Sequence, residues 1–344
     1  MSQPIPISLI ESISARLSST SMELDGRDIT ILGGSGFVGS WVSECLRYEI
    51  SQGLNCRVRS FSRTGVVKTQ IDLGKKSHLF QSIKADLSEE VPKDALRSDC
   101  FLIAATSSSP EHGSTDNRML TKTSNGILRL LDELALLETY RDKNLVHLSS
   151  GAVYQIYGSA TSRYPEDENL SKESRNAYVQ SKLKLELASR RLLEGNLSWR
   201  VSNPRIFALY GPGLATDAHF AIGNFIGAGI RGQDIEIRGN PKTVRSYLHI
   251  ADLTVALLKL LVKPASSALN LGSSSPITIQ ELAESIAIHF PASEVRCLEN
   301  RESASYYVPE TENATKHLGQ IESINFADGI AEWIDWLKHC QTKI

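Results

Sequence analysis

The chain is predicted to fold as an α/β protein, a doubly wound parallel sheet with a smaller C-terminal lobe. Three observations predict it. Short apolar runs rich in β-branched residues recur up to about residue 210, separated by longer helical patterns, as in a parallel sheet covered on both faces. Between the first such run and the first long helical pattern lies Gly33-Gly-Ser-Gly-Phe-Val-Gly39, a turn with almost no side chains. After about residue 210 the rhythm changes, and Gly211-Pro-Gly213 and Gly239-Asn-Pro241 mark loops around shorter elements.

Before the first strand, residues 1–27 form an extension in which Leu9, Ile10, Ile13 and Leu17 share one helical face. A short helix packed on the body of the chain or on a second subunit is predicted there. Strands are predicted at Ile29–Leu32, Arg57–Phe61, Cys100–Ala105, Leu145–Ser149 and Trp199–Ser202. Helices are predicted near Gly36–Tyr48, Asn117–Leu137 and Ala177–Leu193, the first opening with Phe37, Val38, Trp41, Val42 and Leu46. Past the change of rhythm, a helix near Ala221–Arg231 and a short strand at Asp234–Arg238 are expected. The expected domains are a helical extension (1–27), a dinucleotide-binding domain (28–210) and a mainly substrate-binding lobe with strand returns to the sheet (211–344).

Composition narrows the function. A net charge of −2 over 344 residues gives no attraction for nucleic acid or for a membrane surface. No apolar run approaches the roughly 18 residues that span a bilayer, and the N-terminus lacks the basic segment and apolar core of a secretory signal. Cys45, Cys56, Cys100, Cys297 and Cys340 are scattered, odd in number and without C-x-x-C spacing. Reduced thiols, no metal site and a cytoplasmic location are expected.

The glycine turn fits a pyrophosphate. Phosphate can approach a backbone closely only where Cβ atoms are missing, and the N–H groups and dipole of the following helix then stabilise its charge. The spacing is G-x-x-G-x-x-G, carried by Gly33, Gly36 and Gly39. Tyr178 and Lys182 form Y-x-x-x-K, so both project from one helical face. An ammonium beside a phenol favours phenolate, which lets Tyr178 exchange a proton with a substrate hydroxyl or carbonyl. Upstream, Ser149-Ser-Gly-Ala-Val-Tyr154 follows a predicted strand, and Ser150 at its C-terminal end is placed to hydrogen-bond the same substrate oxygen.

With these motifs in this order, the chain resembles the extended short-chain dehydrogenase/reductase superfamily, in its nucleotide-sugar epimerase/dehydratase branch, over roughly residues 28–320. Further segments carry the resemblance. Asp86-Leu87 is similar to the family's pair near the adenine ring, and Ala104-Ala105-Thr106 to its strand-end segment beside the cofactor. Arg205-Ile-Phe-Ala-Leu-Tyr-Gly-Pro-Gly213 resembles R-x-F-N-x-Y-G-P-G, and Asn224-Phe-Ile226 resembles the N-F-I that opens a substrate-lobe helix. Val244-Arg-Ser-Tyr-Leu-His-Ile-Ala-Asp252 resembles V-R-D-Y-I-H-V-x-D, and Leu269-Asn-Leu-Gly-Ser273 with Ile277-Thr-Ile-Gln-Glu281 resembles a turn and capped helix.

The resemblance implies a Rossmann sheet and hydride transfer at a sugar carbon, with Tyr178 as acid/base, Lys182 on the nicotinamide ribose and Ser150 orienting the reacting oxygen. Gly33, Gly36, Phe37, Val38, Arg63, Asp86, Leu87, Ala104, Ala105 and Thr106, with Tyr178 and Lys182, are the implied cofactor contacts. The implied substrate is a nucleotide-diphosphate sugar, held by Ser150, Asn224 and Arg245, in a homodimer. Arg245 suits a diphosphate because guanidinium presents paired donors; a solvated surface arginine is the alternative, as helix capping is for Asn224.

Departures from the family matter as much. Gly151 and Ala152 occupy positions where 4,6-dehydratases carry acids, and sugar decarboxylases place a carboxylate at the second. Ala208 replaces an asparagine, Ser246 an aspartate, and no arginine-glycine-aspartate segment is recognisable around Asn300–Tyr307. Ser62 stands at about the position where NAD-specific relatives end the second strand with an acid, and Arg63 follows, suited to a 2′-phosphate. Simple solvation of Arg63, with either cofactor accepted, is the alternative. The leading expectation is an NADP-dependent ketoreductase acting on a nucleotide-linked keto-deoxysugar at C4. A redox-neutral epimerase or dehydratase with retained NAD, and a non-catalytic dinucleotide sensor, are the alternatives.

Overall fold

The computed structural model describes residues 3–65, 69–105, 117–137, 142–154, 162–166, 170, 174, 176–195, 198–217, 220–266, 268–298 and 303–341. Helices α1 (Ile7–Ala15) and α2 (Ser18–Leu24) precede β1 (Asp28–Leu32), α3 (Phe37–Gln52), β2 (Arg57–Ser62) and β3 (Phe80–Lys84). Next come β4 (Cys100–Ile103), α4 (Asn117–Ala135), β5 (Lys143–His147), β6 (Ser149–Ser150), α5 (Ala177–Gly195), β7 (Trp199–Ser202) and β8 (Pro204–Ile206). They are followed by β9 (Leu209–Tyr210), α6 (Ala221–Ile230), β10 (Ile235–Ile237), β11 (Val244–Arg245), β12 (Leu248–His249) and α7 (Ile250–Val262). The chain continues through β13 (Leu269–Leu271), β14 (Ile277–Thr278), α8 (Ile279–Ala287), β15 (Val295–Cys297), β16 (Tyr306–Tyr307), α9 (Glu312–Leu318) and α10 (Phe326–Gln341).

Two compact units divide the chain. The first comprises Met1–Val153, Leu170–Arg205 and Thr254–Leu269. Its sheet has the order β3-β2-β1-β4-β5-β7, parallel throughout. That is the doubly wound α/β fold expected from the strand–helix rhythm. Strand side chains Leu32, Phe61, Phe101, Ile103, Leu145 and Val201 meet Ile127, Leu130, Leu131 and Leu134 of α4 and Leu185 and Leu192 of α5. Helix α3 packs on β1, and α1 packs in turn on α3. Leu9, Ile10, Ile13 and Leu17 are all buried. Each such side chain contributes about 1.5–3 kcal/mol when fully buried.

Strand β3 has no counterpart among the predicted strands. It lies at the sheet's edge, and of its five residues only Phe80 is buried, so no apolar run marks it. Other boundaries differ from expectation as well. Strand β4 ends at Ile103, not Ala105, and the run after Lys143 breaks at Leu148 before β6.

The units do not divide at residue 210. Most of α7, from Thr254, belongs with the sheet because it is apolar around nearly its whole circumference: Val255, Ala256, Leu257, Leu258, Leu260 and Leu261 are at most 1% exposed. Asn144 on β5 satisfies its last carbonyls, Nδ2 donating to Leu261 O at 2.9 Å and Val262 O at 3.1 Å. Ser202 Oγ then donates to Ala265 O at 2.9 Å.

The second unit comprises Tyr154–Asn169, Ile206–Leu253 and Asn270–Ile344. Its core brings Ile222, Phe225 and Ile226 of α6 against Leu282 and Ile286 of α8 and Trp333 and Ile334 of α10. Helix α8 starts sharply because Thr278 and Glu281 form a reciprocal capping box. Short strands complete the unit: β10 pairs with β15, β12 with β9, and β11 lies between β14 and β16. Among the described residues no helix is long and apolar enough to cross a membrane.

Candidate active site

In the first unit, the chain after each of β1, β2, β3 and β4 emerges at one edge, the carboxyl end of a parallel sheet. That edge is where doubly wound sheets bind ligands. After β1 the backbone turns tightly, with Gly33 N and Gly34 N both donating to Phe61 O, at 2.8 and 3.0 Å. Gly33 has φ +91, and a Cβ there would stand 2.6 Å from Ala105 N. A Cβ on Gly39 would overlap the Gly33 carbonyl. Gly36 precedes α3 as its N-cap, so Phe37, Val38 and Gly39 form the first turn, whose N–H groups have no intrahelical acceptor. The cradle therefore fits a dinucleotide pyrophosphate: three of its four residues before the helix are glycines, and it is faced by the start of a 16-residue helix.

Strand β2 ends at buried Ser62, whose Oγ accepts from Gly65 N at 3.1 Å; Arg63 beside it is exposed. Half-buried Asp86 follows β3. Its carboxyl is held below the usual range chiefly by the Ser88 backbone N–H, at 2.8 Å, with help from the charges of Arg63 and Lys122. Leu87 is buried in the core, its carbonyl pressed on Gly126 of α4 and accepting from Arg129 Nη2 at 3.1 Å. Ala104 and Ala105 are half-buried after β4, while Thr106 lies outside the described residues.

Beside β6 stand the catalytic candidates. Ser150 Oγ accepts from Ala152 N at 3.2 Å, which leaves its O–H to donate. Asn176 caps α5, its Oδ1 accepting from Tyr178 N at 2.9 Å and Val179 N at 3.3 Å. Tyr178 is half-buried, and Lys182 Nζ lies 5.7 Å from its ring centroid. Lys182 Nζ donates to Leu148 O at 2.7 Å. Burial pushes the Lys182 ammonium down to about 8, against the pull of Glu186, so it remains a cation at neutral pH.

Behind the trio lies a buried polar network. Glu186 accepts two parallel bonds from Arg205, Nε to Oε1 and Nη2 to Oε2, both 3.1 Å, and a third from Ser149 Oγ at 2.5 Å. Asn203 Oδ1 accepts from Ser189 Oγ at 2.8 Å and bonds His147 Nδ1 at 3.0 Å. Burial, then the Lys182 ammonium, pushes the His147 imidazole down to about 3.

The second unit carries Arg245 and Asn224. Half-buried Arg245 on β11 donates from Nη1 to Val244 O at 2.9 Å and from Nη2 to Ser305 Oγ at 3.0 Å, its guanidinium 5.8 Å from the Tyr307 ring centroid. Its guanidinium is held by these contacts within its own unit. Asn224 is exposed in the first turn of α6, whose cap position is Phe220, so it does not cap that helix.

The sequence matches the NAD dependent epimerase/dehydratase family over residues 29–272, more than half the chain. The chain belongs to that family. It is thus of the extended short-chain dehydrogenase/reductase type, with relatives that act on nucleotide-linked sugars. It is 26% identical over 261 residues to UDP-glucuronic acid decarboxylase 1 of Arabidopsis thaliana, a match covering 74% of this chain and 57% of that protein. The chain thus spans little more than half the length of that relative. Over 154 residues it is 30% identical to dTDP-4-dehydro-6-deoxy-D-allose reductase of a Streptomyces species, covering 43% of this chain and 47% of the reductase. Among solved structures, MoeE5 in complex with UDP-glucuronic acid and NAD shares the fold, with TM-score 0.74 at 22% identity over 91% of this chain and 99% of that one.

Within this family framework, Gly151 and Ala152 form a short 3-10 turn with Val153 directly after Ser150, and neither carries an acid. Motif reading did not find the buried network. Glu186 follows Lys182 by four residues on the same helix face, which was the available signal. Its partners Ser149 and Arg205 each open a segment quoted above, but nothing in the sequence pairs them with Glu186.

Proposed function

We propose that the chain is an NADP-dependent ketoreductase that acts on a nucleotide-linked keto-deoxysugar at C4, with Tyr178 as the acid. The observation that carries this reading is the Tyr178–Lys182 pair beside a turn, Gly151–Val153, that has no proton-transferring group. Dehydration or decarboxylation in this family needs an acid there, whereas reduction of a ketone needs only one proton donor besides the hydride. The similarity to a 4-keto-sugar reductase supports the same reading.

The glycine cradle and first turn of α3 would hold the pyrophosphate, and Arg63 with Lys122 a 2′-phosphate. When bound, the cofactor supplies the hydride. Ser150 donates a hydrogen bond to the ketone oxygen, and Tyr178 passes its proton to that oxygen as the carbon is reduced. The Lys182 cation favours the phenolate that remains and would donate to the nicotinamide ribose. Arg245 would hold the sugar-nucleotide diphosphate, with Asn224 as a second contact. A cytoplasmic homodimer completes the reading.

The testing experiment is to incubate the protein with NADPH and a panel of nucleotide-linked 4-keto-sugars. Stoichiometric loss of NADPH is expected, and Tyr178→Phe should lower turnover by about 10²–10⁴-fold while cofactor still binds. Wild-type turnover in that variant overturns the role of Tyr178. A redox-neutral epimerase with retained NAD is the second reading, favoured by the MoeE5 complex with NAD. It is distinguished by product formation without net consumption of added NADPH.

A further inference from the structure

We propose that Glu186 is a positioning residue for the Ser150–Tyr178–Lys182 trio, tying the Leu148–Ser150 segment to α5 and keeping Lys182 cationic in its buried site. The inference rests on the trio's role in the functional reading above. Three bonds converge on this one carboxylate. Arg205 on β8 grips it with one guanidinium edge, Nε and Nη2, and Ser149 on β6 donates to it. Ser149 lies between Leu148, whose carbonyl takes the Lys182 ammonium, and Ser150, which faces the reacting oxygen. A carboxylate four residues along α5 from Lys182 thereby fixes both the hydroxyl end and the ammonium end of the trio.

The charges around Lys182 leave this task to Glu186. From α5 it faces Glu186 and Tyr178, and from β5 His147, which is neutral. Glu186 is therefore the anion that offsets the cost of an ammonium only 4% exposed. Arg205 and Glu186 are themselves 3% and 5% exposed at the side chain, so the pair is sealed from water and screened little by salt.

The test reads Lys182 directly, in protein labelled with carbon-13 at the lysine ε-carbon, with Lys182→Met assigning the resonance. Its titration midpoint should fall by about one pH unit or more in Glu186→Gln. Ser149→Ala keeps the charge and should leave the midpoint unmoved. Because Glu186→Gln strands the buried Arg205 cation and endangers folding, Glu186→Gln/Arg205→Gln removes both charges and should show a smaller fall in the same direction. An unchanged midpoint in a folded variant of either kind overturns the proposal, since a merely structural Glu186 would lower the melting temperature only. The titration needs no cofactor, so it stands apart from the functional reading, which fails if neither NADPH nor NADH binds the wild-type protein.

Discussion

Arg63 ends exposed beside β2, in the electrostatic neighbourhood of Asp86 and Lys122. Ser62 stands in place of an acid at the strand end, so the strand itself carries no carboxylate to repel a 2′-phosphate. Arg63→Ala should therefore cost NADPH about 1.5–3 kcal/mol of binding, the scale of a charged hydrogen bond, and cost NADH far less. The difference should shrink with added salt. Titration of both dinucleotides checks it, and tighter NADH binding by the wild type would favour the epimerase. At this scale, what can be read in the sequence is local. Tyr178 and Lys182 declare themselves by spacing along one helix, and Gly33 by the turn it must make. Glu186 does not, because its meaning comes from Ser149 and Arg205, which reach it from distant parts of the chain. Arg245 was readable as a donor but not as a fixed one, since Ser305 lies 60 positions away.

Helix α3 and the turn before it form one element in which spacing carries the whole design. Gly39 faces the Gly33 carbonyl so closely that no Cβ fits, and the helix is thereby seated directly on the turn. Gly39→Ala should push α3 off the cradle, costing about 1–3 kcal/mol of stability as overpacking does. Dinucleotide affinity should fall with it, measured by denaturation and calorimetry on the same variant. Elements whose burial is two-sided, such as β1 and β4, were evident as apolar runs. Strand β3 was hidden because an edge position leaves Gln81, Ser82 and Lys84 outside the core, so its sequence has no run to detect.

Across the whole molecule, buried His147 links stability to acid. Its folded value is about 3 against an ordinary 6.5, so between those values the unfolded chain binds a proton that the native state refuses. The resulting stability is complete above about pH 6.5 and is lost as pH falls toward 3, at about 1.4 kcal/mol per pH unit. Denaturant titrations at pH 6 and pH 4 should show a fall in stability that is smaller, by roughly that slope, in His147→Gln. The chain's division into two units follows no such local rule. It depends on where residues 254–269 find their partners, in Asn144 and Ser202 from far earlier in the sequence.

That late return has a consequence for how the protein is made. As the chain leaves the ribosome, β1 to β7 emerge long before the Thr254–Leu269 segment that completes their unit. At ~5–20 residues per second, the stretch from Arg205 to Leu269 takes roughly 3 to 13 seconds to synthesise. Throughout that interval Asn144 and Ser202 lack their acceptors on the late segment, and apolar sheet surface awaits cover. A nascent chain paused there would be a natural client for a holdase chaperone. A gene fragment ending near residue 210 would yield an aggregating product, not a free-standing dinucleotide-binding domain.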